Sequence, residues 1–332
     1  MSMRSNQASE ALIQYEAGQE FVDMAAMTDS GDNTTFSITD APWSNKAGFE
    51  PDIRPDGLLT GGVVTPAAAN DEVAISDLTS YIGGAGVDMT TIDDAAIARS
   101  TEYVPGETYI INSVTVTSLG AISVLAGVEG AAFSAVRGAA GGPPLIPTTS
   151  IEIAWVRLDS TDAAVITADE IWQIAGTSME RSAYPGYDMD ITNGEITFYS
   201  ALPTIHTGAV PKGVYIEVYT PVFASLEPAS AYVPPETTHS QNSTAVYGGT
   251  IGASTSSLGQ GSFTVYLLDG ITDPIIDLKN EILWIKFFAH RLRAPYLLAN
   301  GTLGIARTFP PDNSIQAACT LSAVEDATEF AA

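Results

Sequence analysis

The chain has 332 residues, and 45% of them are hydrophobic, so it can bury one large core or about two to three medium ones. The chain has 13 Lys and Arg and 39 Asp and Glu, which gives a net charge of −26. This charge argues against a protein that binds the phosphate backbone of nucleic acid. Only 16% of residues are charged, so small polar and apolar residues cover much of the surface, which suits either an acidic soluble protein or a subunit of an assembly.

Residues 1–44 are predicted to form an N-terminal arm with a short helix, because Leu12, Tyr15 and Gln19 fall near one helical face. The segment contains Arg4 but no apolar stretch of the kind found in secretory signal peptides. No part of the chain approaches the roughly 20 apolar residues that span a bilayer. These features predict synthesis in a cytoplasm and no membrane insertion.

Residues 45–235 are predicted to form a β-rich domain with long loops. Between its strands, residues 127–147 are so rich in Gly and Pro that they predict a long loop, which compact domains seldom retain without a use. Alternation of apolar and polar residues predicts the strands 108–118, 150–158, 195–200 and 213–221.

Residues 236–332 are predicted to form a C-terminal β domain. Residues 222–261 lack a regular pattern and read as a linker or an extended loop across the boundary. Alternation resumes after it and predicts the strands 262–270, 281–289, 302–307 and 314–322. Many short strands, frequent turn signals and little helix indicate an all-β fold.

The last of these strands carries the only cysteine, Cys319. Ile315, Ala317, Cys319 and Leu321 alternate with small polar residues, so we expect Cys319 to be buried and reduced. A single cysteine also excludes a disulfide scaffold.

No arrangement of chemically active residues stands out. The histidines His206, His239 and His290 have no Cys or His partner at metal-ligand spacing. Nucleophile elbows, HExxH motifs and phosphate-binding loops are absent from the sequence. We therefore predict no catalytic residue, no cofactor-binding residue and no metal ligand, and the chain is not expected to be an enzyme.

The C-terminal stretch TFPPDNSIQAACTLSAVEDATEF (308–330) has the order strand, Pro/Asp turn, strand of small residues and short acidic tail. With the preceding GSFTVYLLDG and LWIKFFAHRL, it resembles the major tail proteins of long-tailed (siphovirus-type) bacteriophages. The resemblance covers about residues 236–332 and is looser over 1–235. It is one of pattern, so no functional residue is carried over.

The resemblance implies a virion structural protein that forms the phage tail tube from stacked rings of identical subunits. It implies that 236–332 is a tube-like domain and that DNA passes through the lumen without specific binding. The rings would be trimeric if 45–235 is a second tube-like domain, and hexameric if that region is an outer decoration. Expected partners are a tape-measure protein, a tail terminator and distal tail proteins.

The resemblance also gives a use for the uncharged hairpin 300–323. Inner strands of tube proteins join into one barrel, so we expect this hairpin to lie at a sheet edge that continues into a neighbouring subunit.

Two alternatives come from other classes. A receptor- or carbohydrate-binding virion protein, such as a fibre or capsid decoration, would use exposed aromatic residues to stack on sugars. The candidates are Trp43, Tyr184 and Tyr187, although aromatic residues more often pack in a core or interface. A hydrolytic enzyme on a β scaffold is the other alternative.

Overall fold

The structure is a computed structural model that describes residues 10–174, 185–208 and 210–331. Strands make up 53% of the chain and helix 3%, so the predicted all-β class is confirmed. The chain divides into two compact units: unit 1 comprises Met1–Phe21, Pro42–Pro51 and Val218–Ala332, and unit 2 comprises Val22–Ala41 and Asp52–Glu217. Both units are discontinuous, whereas the ranges 1–44, 45–235 and 236–332 expected from the sequence are contiguous.

The strands are mostly short. The first thirteen are β1 (Leu12–Ala26), β2 (Thr28–Asp29), β3 (Thr35–Ser37), β4 (Asp52–Pro55), β5 (Gly57–Gly61), β6 (Val64–Pro66), β7 (Glu72–Ile75), β8 (Leu78–Ile82), β9 (Ala85–Met89), β10 (Ile92–Ala96), β11 (Ile110–Thr117), β12 (Ile122–Ala126) and β13 (Ser150–Leu158). The others are β14 (Ile171–Gln173), β15 (Tyr187–Asp190), β16 (Glu195–Phe198), β17 (Val214–Leu226), β18 (Ala229–Val233), β19 (Thr237–Val246), β20 (Gly249–Leu258), β21 (Gly261–Tyr266), β22 (Ile282–Phe288), β23 (Tyr296–Thr308), β24 (Gln316–Ala323) and β25 (Thr328–Phe330). Between them lie a 3₁₀ turn, Ala168–Glu170, and a short helix, α1 (Pro274–Asp277).

The helix predicted in the N-terminal arm is wrong, because β1 occupies that stretch. Ile13 and Tyr15 are buried two residues apart, which is the spacing of a strand. β1 pairs antiparallel with β22, and Leu12 lies opposite Phe288. A distant strand thus supplies the partner and overrides a weak local preference for helix.

Unit 1 is built on one large antiparallel sheet, in the order β18-β21-β24-β23-β22-β1-β17, and β25 also pairs with β23. Its core contains side chains from both ends of the chain. The buried members are Ile13, Tyr15, Leu226, Phe263, Val265, Leu267, Ile275, Leu283, Ile285, Ala299, Leu303, Ala317, Cys319 and Leu321. The predicted alternation along β24 is confirmed, since Ala317, Cys319 and Leu321 are buried and Ala318 and Thr320 are exposed.

The expectation that the hairpin 300–323 forms a sheet edge is wrong. β24 pairs on one side with β23 and on the other with β21, so it lies inside the sheet of its own chain. Its neighbours need small residues because the strands crowd together: a Cβ on Gly304 would lie 2.5 Å from Thr320 Oγ1. Few charges and small side chains therefore reflect an internal position.

Residues 222–261, predicted to be a linker or extended loop, form strands. They contain the end of β17, all of β18 and a long hairpin of β19 and β20, named here the ribbon (Thr237–Leu258). Its register runs from Thr237 opposite Leu258 to Val246 opposite Gly249. Tyr247 and Gly248 make the turn, and Gly248 has φ +95°, a conformation that favours glycine.

Unit 2 contains several small antiparallel sheets in place of one large one. Their orders are β10-β7-β6, β12-β11-β13-β14, β15-β16-β3-β2 and β5-β8-β9, and β4 pairs with Val214–Glu217 of β17. One apolar core contains side chains of β5 to β11 and β13, among them Ile75, Val114, Ile153 and Leu158. The predicted loop 127–147 is confirmed, because it contains only isolated bridges.

In unit 1, the carboxylate of Glu16 on β1 is buried and accepts three hydrogen bonds from neutral donors. The Ser44 hydroxyl donates at 2.6 Å and the backbone N–H of Trp284 at 3.0 Å. The Gln19 side-chain amide donates at 2.8 Å. Glu16 thereby joins β1, β22 and the segment Pro42–Pro51.

Replacing Glu16 with Ala is expected to lower the free energy of unfolding by about 2–4 kcal/mol, because the Ser44 and Trp284 donors lose their acceptor inside the unit. Chemical denaturation followed by circular dichroism measures the change. Glu20→Ala, at an exposed position on the same strand, is the matched control and should cost less than about 0.5 kcal/mol. Equal stability of the two variants would contradict the role given to Glu16.

Cys319 should resist thiol reagents in the folded protein, because its side chain is buried and burial raises the pKa of its thiol to about 12. Labelling with a chromogenic disulfide reagent should become fast only after denaturant is added. Cys319→Ser is expected to cost about 1–3 kcal/mol, since a buried hydroxyl needs a hydrogen-bond partner. Rapid labelling without denaturant would refute this prediction.

Candidate functional site

The three histidines lie in different environments. His206 is buried in unit 2, with Nδ1 3.0 Å from the carbonyl oxygen of Pro147. In unit 1, His239 lies on the exposed ribbon, and His290 Nδ1 accepts the N–H of Leu292 at 3.2 Å. Across residues 10–174, 185–208 and 210–331, no group of three or more His, Cys, Asp or Glu is placed to hold a metal ion.

The aromatic residues suggested as sugar contacts differ in their exposure. Trp43 is fully buried in unit 1, and its carbonyl accepts the indole N–H of Trp284 at 2.9 Å, so its suggested role in stacking on sugars is wrong. Tyr187 is partly exposed and packs edge-to-face on Phe198, with ring centroids 5.7 Å apart. Tyr184 lies outside the described residues.

In unit 2 the loop 127–147 is fastened to β13 by an ion pair. Arg137 bonds both carboxylate oxygens of Glu152, and it also donates to the carbonyl of Pro144 at 2.8 Å. The Trp155 indole N–H donates to Glu152 at 2.8 Å. A bulge at Ile153, where the register with β11 shifts, lets Glu152 and Trp155 reach each other from positions three apart.

Further charges surround this ion pair. We call Asp56, Arg137, Glu152, His206 and Lys212 the charged cluster. Burial lowers the pKa of Lys212, against the opposing effect of the Glu152 and Asp56 carboxylates. Asp56 is buried and accepts the N–H of Gly83 at 2.7 Å. Two cations and two carboxylates balance formally, as burial of charge requires.

Perturbed lysines occur at catalytic sites and in structural ion networks alike. A general base needs an oxygen free to reach its substrate. Glu152 instead accepts from Arg137, which holds the loop against β13, and from Trp155 on the same strand as Glu152. Within the charged cluster, the Arg137–Glu152 ion pair therefore anchors the loop 127–147.

Other cavities are formed by described residues away from this cluster. A groove of about 350 Å³ in unit 1 is bordered mainly by apolar side chains, among them Phe287, Tyr296 and Phe330. A pocket of about 390 Å³ in unit 2, named here the Arg157 pocket, has a mixed lining. It is bordered by Phe133, Arg157, Asp159, Asp169, Glu170 and Trp172.

The Arg157 pocket is assembled from three separate stretches of sequence. Arg157 comes from β13 and Trp172 from β14, which pair with Trp155 opposite Trp172. Phe133 comes from the loop 127–147 that Arg137 fastens. The strand alternation of 150–158 could have placed Trp155 and Arg157 on one face, but nothing in the sequence indicates that Phe133 joins them.

No family model, curated protein or solved structure matches this chain. In the part of the chain that the structure describes, no helix is long and apolar enough to cross a membrane.

His206 should make the stability of unit 2 depend on pH. Its Nε2 is buried and has no hydrogen-bond partner among the described residues, and burial lowers its pKa from 6.5. The unfolded chain therefore takes up a proton at a higher pH than the folded chain. The stabilisation from neutral His206 is complete above pH 6.5 and decreases as the pH falls below 6.5 towards the folded pKa.

Urea denaturation at pH 7.5 and 5.5 measures this effect. Wild-type protein is expected to lose up to about 1.4 kcal/mol per pH unit below 6.5 from this one group. His206→Asn retains a donor for the Pro147 carbonyl but does not titrate, so its loss should be smaller. His239→Asn, at an exposed position, should behave as wild type. An unchanged pH dependence in His206→Asn would count against the assignment.

Proposed function

We propose that this chain is a virion structural protein, the major subunit of the tail tube of a long-tailed bacteriophage. The sequence resemblance over residues 236–332 supports the tail-tube assignment. The observation that carries the self-assembly part is the ribbon in unit 1. The proposal includes no catalytic role and no cofactor.

The ribbon lacks what normally stabilises a hairpin. Every position whose side chain the structure describes between Thr238 and Ser257 is exposed. An isolated two-stranded hairpin is marginally stable in water, and a packing partner is usually needed. Contact with another copy of the chain would supply such a partner.

The edges of the ribbon are also unprotected. Residues 237–258 contain no Asp, Glu, Lys or Arg, although the chain as a whole carries 39 acidic residues. Proteins commonly block free strand edges with charged residues or Pro to prevent pairing with other chains. Uncharged edges of this length suit regular pairing or packing between subunits.

Exposed apolar side chains in unit 1 support the same proposal. Tyr247 at the tip of the ribbon is fully exposed, and Leu268 is 86% exposed. Ile271 and Phe309 are also largely exposed, and the loop at Gly270 lies beside Phe309. Exposed aromatic and aliphatic residues commonly become buried anchors at subunit interfaces.

The two units suggest how the tube would be divided. Unit 1 has one large sheet, whereas unit 2 has several small ones. The proposal therefore assigns the tube wall to unit 1 and an outer decoration to unit 2, which favours hexameric over trimeric rings. The charge of −26 suits a lumen through which DNA slides without binding. A tape-measure protein, a tail terminator and distal tail proteins would be the other partners, in a virion assembled in the host cytoplasm.

Electron microscopy and size-exclusion chromatography of the purified chain test this proposal. Wild-type protein is expected to form rings that stack into tubes. A variant in which Asn-Gly replaces residues 241–254 should remain folded but monomeric. Ser240 and Thr255 face each other in the ribbon, so a two-residue turn can close the shortened hairpin there.

A matched pair of tyrosines provides the control. Tyr247→Ser should weaken assembly, whereas Tyr103→Ser, at a 90% exposed position in unit 2, should not. Monomers or discrete trimers of wild-type protein at high concentration would overturn the tube proposal, and trimers would favour a fibre or decoration protein. If the shortened variant formed normal tubes, the ribbon would not be needed for assembly and that part of the proposal would be refuted.

A further inference from the structure

The Arg157 pocket contains a guanidinium group held between two aromatic rings. The guanidinium carbon lies 4.3 Å from the ring centroid of Phe133 and 4.7 Å from that of Trp172. Such stacking orients a planar guanidinium and leaves the donors on its rim free to bind. The pocket therefore presents a positioned hydrogen-bond donor.

The Arg157 side chain has no acceptor for these donors among the described residues. It forms no side-chain hydrogen bond and no ion pair there, and its Nε is buried without a partner. Three carboxylates border the same pocket, yet none of them forms an ion pair with Arg157. Donors left unsatisfied in a pocket are stabilised when a ligand supplies acceptors.

The carboxylates differ in how far they are already occupied. Glu170 accepts from the backbone N–H of Thr167 at 2.7 Å and from its hydroxyl at 2.9 Å, so it caps the 3₁₀ turn. Asp159 and Asp169 are exposed and accept no hydrogen bond from the described residues. The pocket thus offers free acceptors beside the free donor.

An aromatic surface completes the set. Trp172 is 51% exposed, although it is one of the largest apolar side chains of the unit. A ring of C–H groups can pack on such a surface. The volume of about 390 Å³ falls within the range of small-molecule pockets.

We propose that the Arg157 pocket binds a neutral saccharide. Sugar hydroxyls accept from Arg157 and donate to Asp159 and Asp169, while the C–H face of the sugar ring packs on Trp172. An anion would be repelled by the two free aspartates, and Arg157 already covers one face of each ring, where a cation would otherwise stack. This binding activity is separate from the proposed self-assembly and uses no residue of the ribbon.

The test uses the full chain and ligand-observed saturation-transfer NMR, with tryptophan fluorescence as the second readout. The neutral probes are glucose, galactose, mannose and N-acetylglucosamine, and dextran serves as a polymeric source of the same chemistry. At least one neutral probe is expected to bind with a Kd on the order of millimolar, as the size of one sugar ring allows. Binding that is much tighter for dextran would identify a polysaccharide ligand, and equal binding a free sugar.

Variants decide whether binding occurs in this pocket. Trp172→Ala and Asp169→Asn should each weaken binding by about tenfold, with unchanged circular dichroism. Tyr103→Ala removes an exposed aromatic ring elsewhere in unit 2 and should leave binding unchanged. If Trp172→Ala disturbs the fold, Trp172→Phe and Asp169→Asn retain the test.

The inference would be overturned if no neutral probe bound at about 20 mM, well above the expected Kd. It would also be overturned if both pocket variants bound sugar as wild type does. A preference for glucuronate or choline over the neutral sugars would overturn it as well. Assembly is measured separately by chromatography. A chain that forms tubes without binding sugar, or binds sugar without forming tubes, therefore separates this inference from the proposed function.

Discussion

The carboxylate of Glu16 accepts hydrogen bonds from Ser44 and Trp284, which are 28 and 268 positions away in the sequence. The side-chain amides of Asn45 and Asn300 donate hydrogen bonds to each other's carbonyl oxygens, at 3.0 and 3.1 Å, and link the same distant parts of the chain. Buried polar groups of this kind find their hydrogen-bond partners in only one arrangement of the chain. They therefore determine which segments meet, and they also stabilise the contact. The segment Pro42–Pro51 joins unit 1 through such bonds, although it contains no strand. Arg137 and Glu152 hold the loop 127–147 in unit 2 in the same way.

The sequence predicts the fold well where a strand has a buried and a polar face. The expected strands at 150–158 and 314–322 correspond to β13 and β24. β24 alternates as predicted, whereas β13 alternates only from Ala154 to Leu158 and is buried on both faces before that. The sequence does not reveal the ribbon, because the ribbon has no buried face and its Ser- and Thr-rich sequence carries no periodic signal. It does not reveal β1, because the partner of β1 lies at the other end of the chain. Whether a strand such as β24 is internal or at an edge also depends on partners that no local pattern encodes.

Little of the candidate site could be predicted. The sequence makes Trp43 a candidate exposed aromatic residue, yet Trp43 is fully buried and its carbonyl accepts a hydrogen bond from the distant Trp284. The aromatic residue that does remain exposed beside a pocket, Trp172, lies in a three-residue strand with no distinctive motif. Its meeting with Arg157 follows from the pairing of β13 and β14, and the meeting with Phe133 follows from a loop whose anchor is an ion pair. Tertiary contacts of this kind are not indicated by any regular spacing of residues in the sequence.

The pairing of β1 with β22 also has a consequence during translation. Leu12 lies opposite Phe288, so the ribosome must add 276 residues (288 − 12) before the partner strand is complete. At typical synthesis rates this delay is on the order of tens of seconds. Residues 52–217, which supply most of unit 2, leave the ribosome within that interval. Most of unit 2 is thus synthesised before β22, the strand that pairs with Ile13 and Tyr15. A chaperone that binds β1 would have its largest effect during this interval.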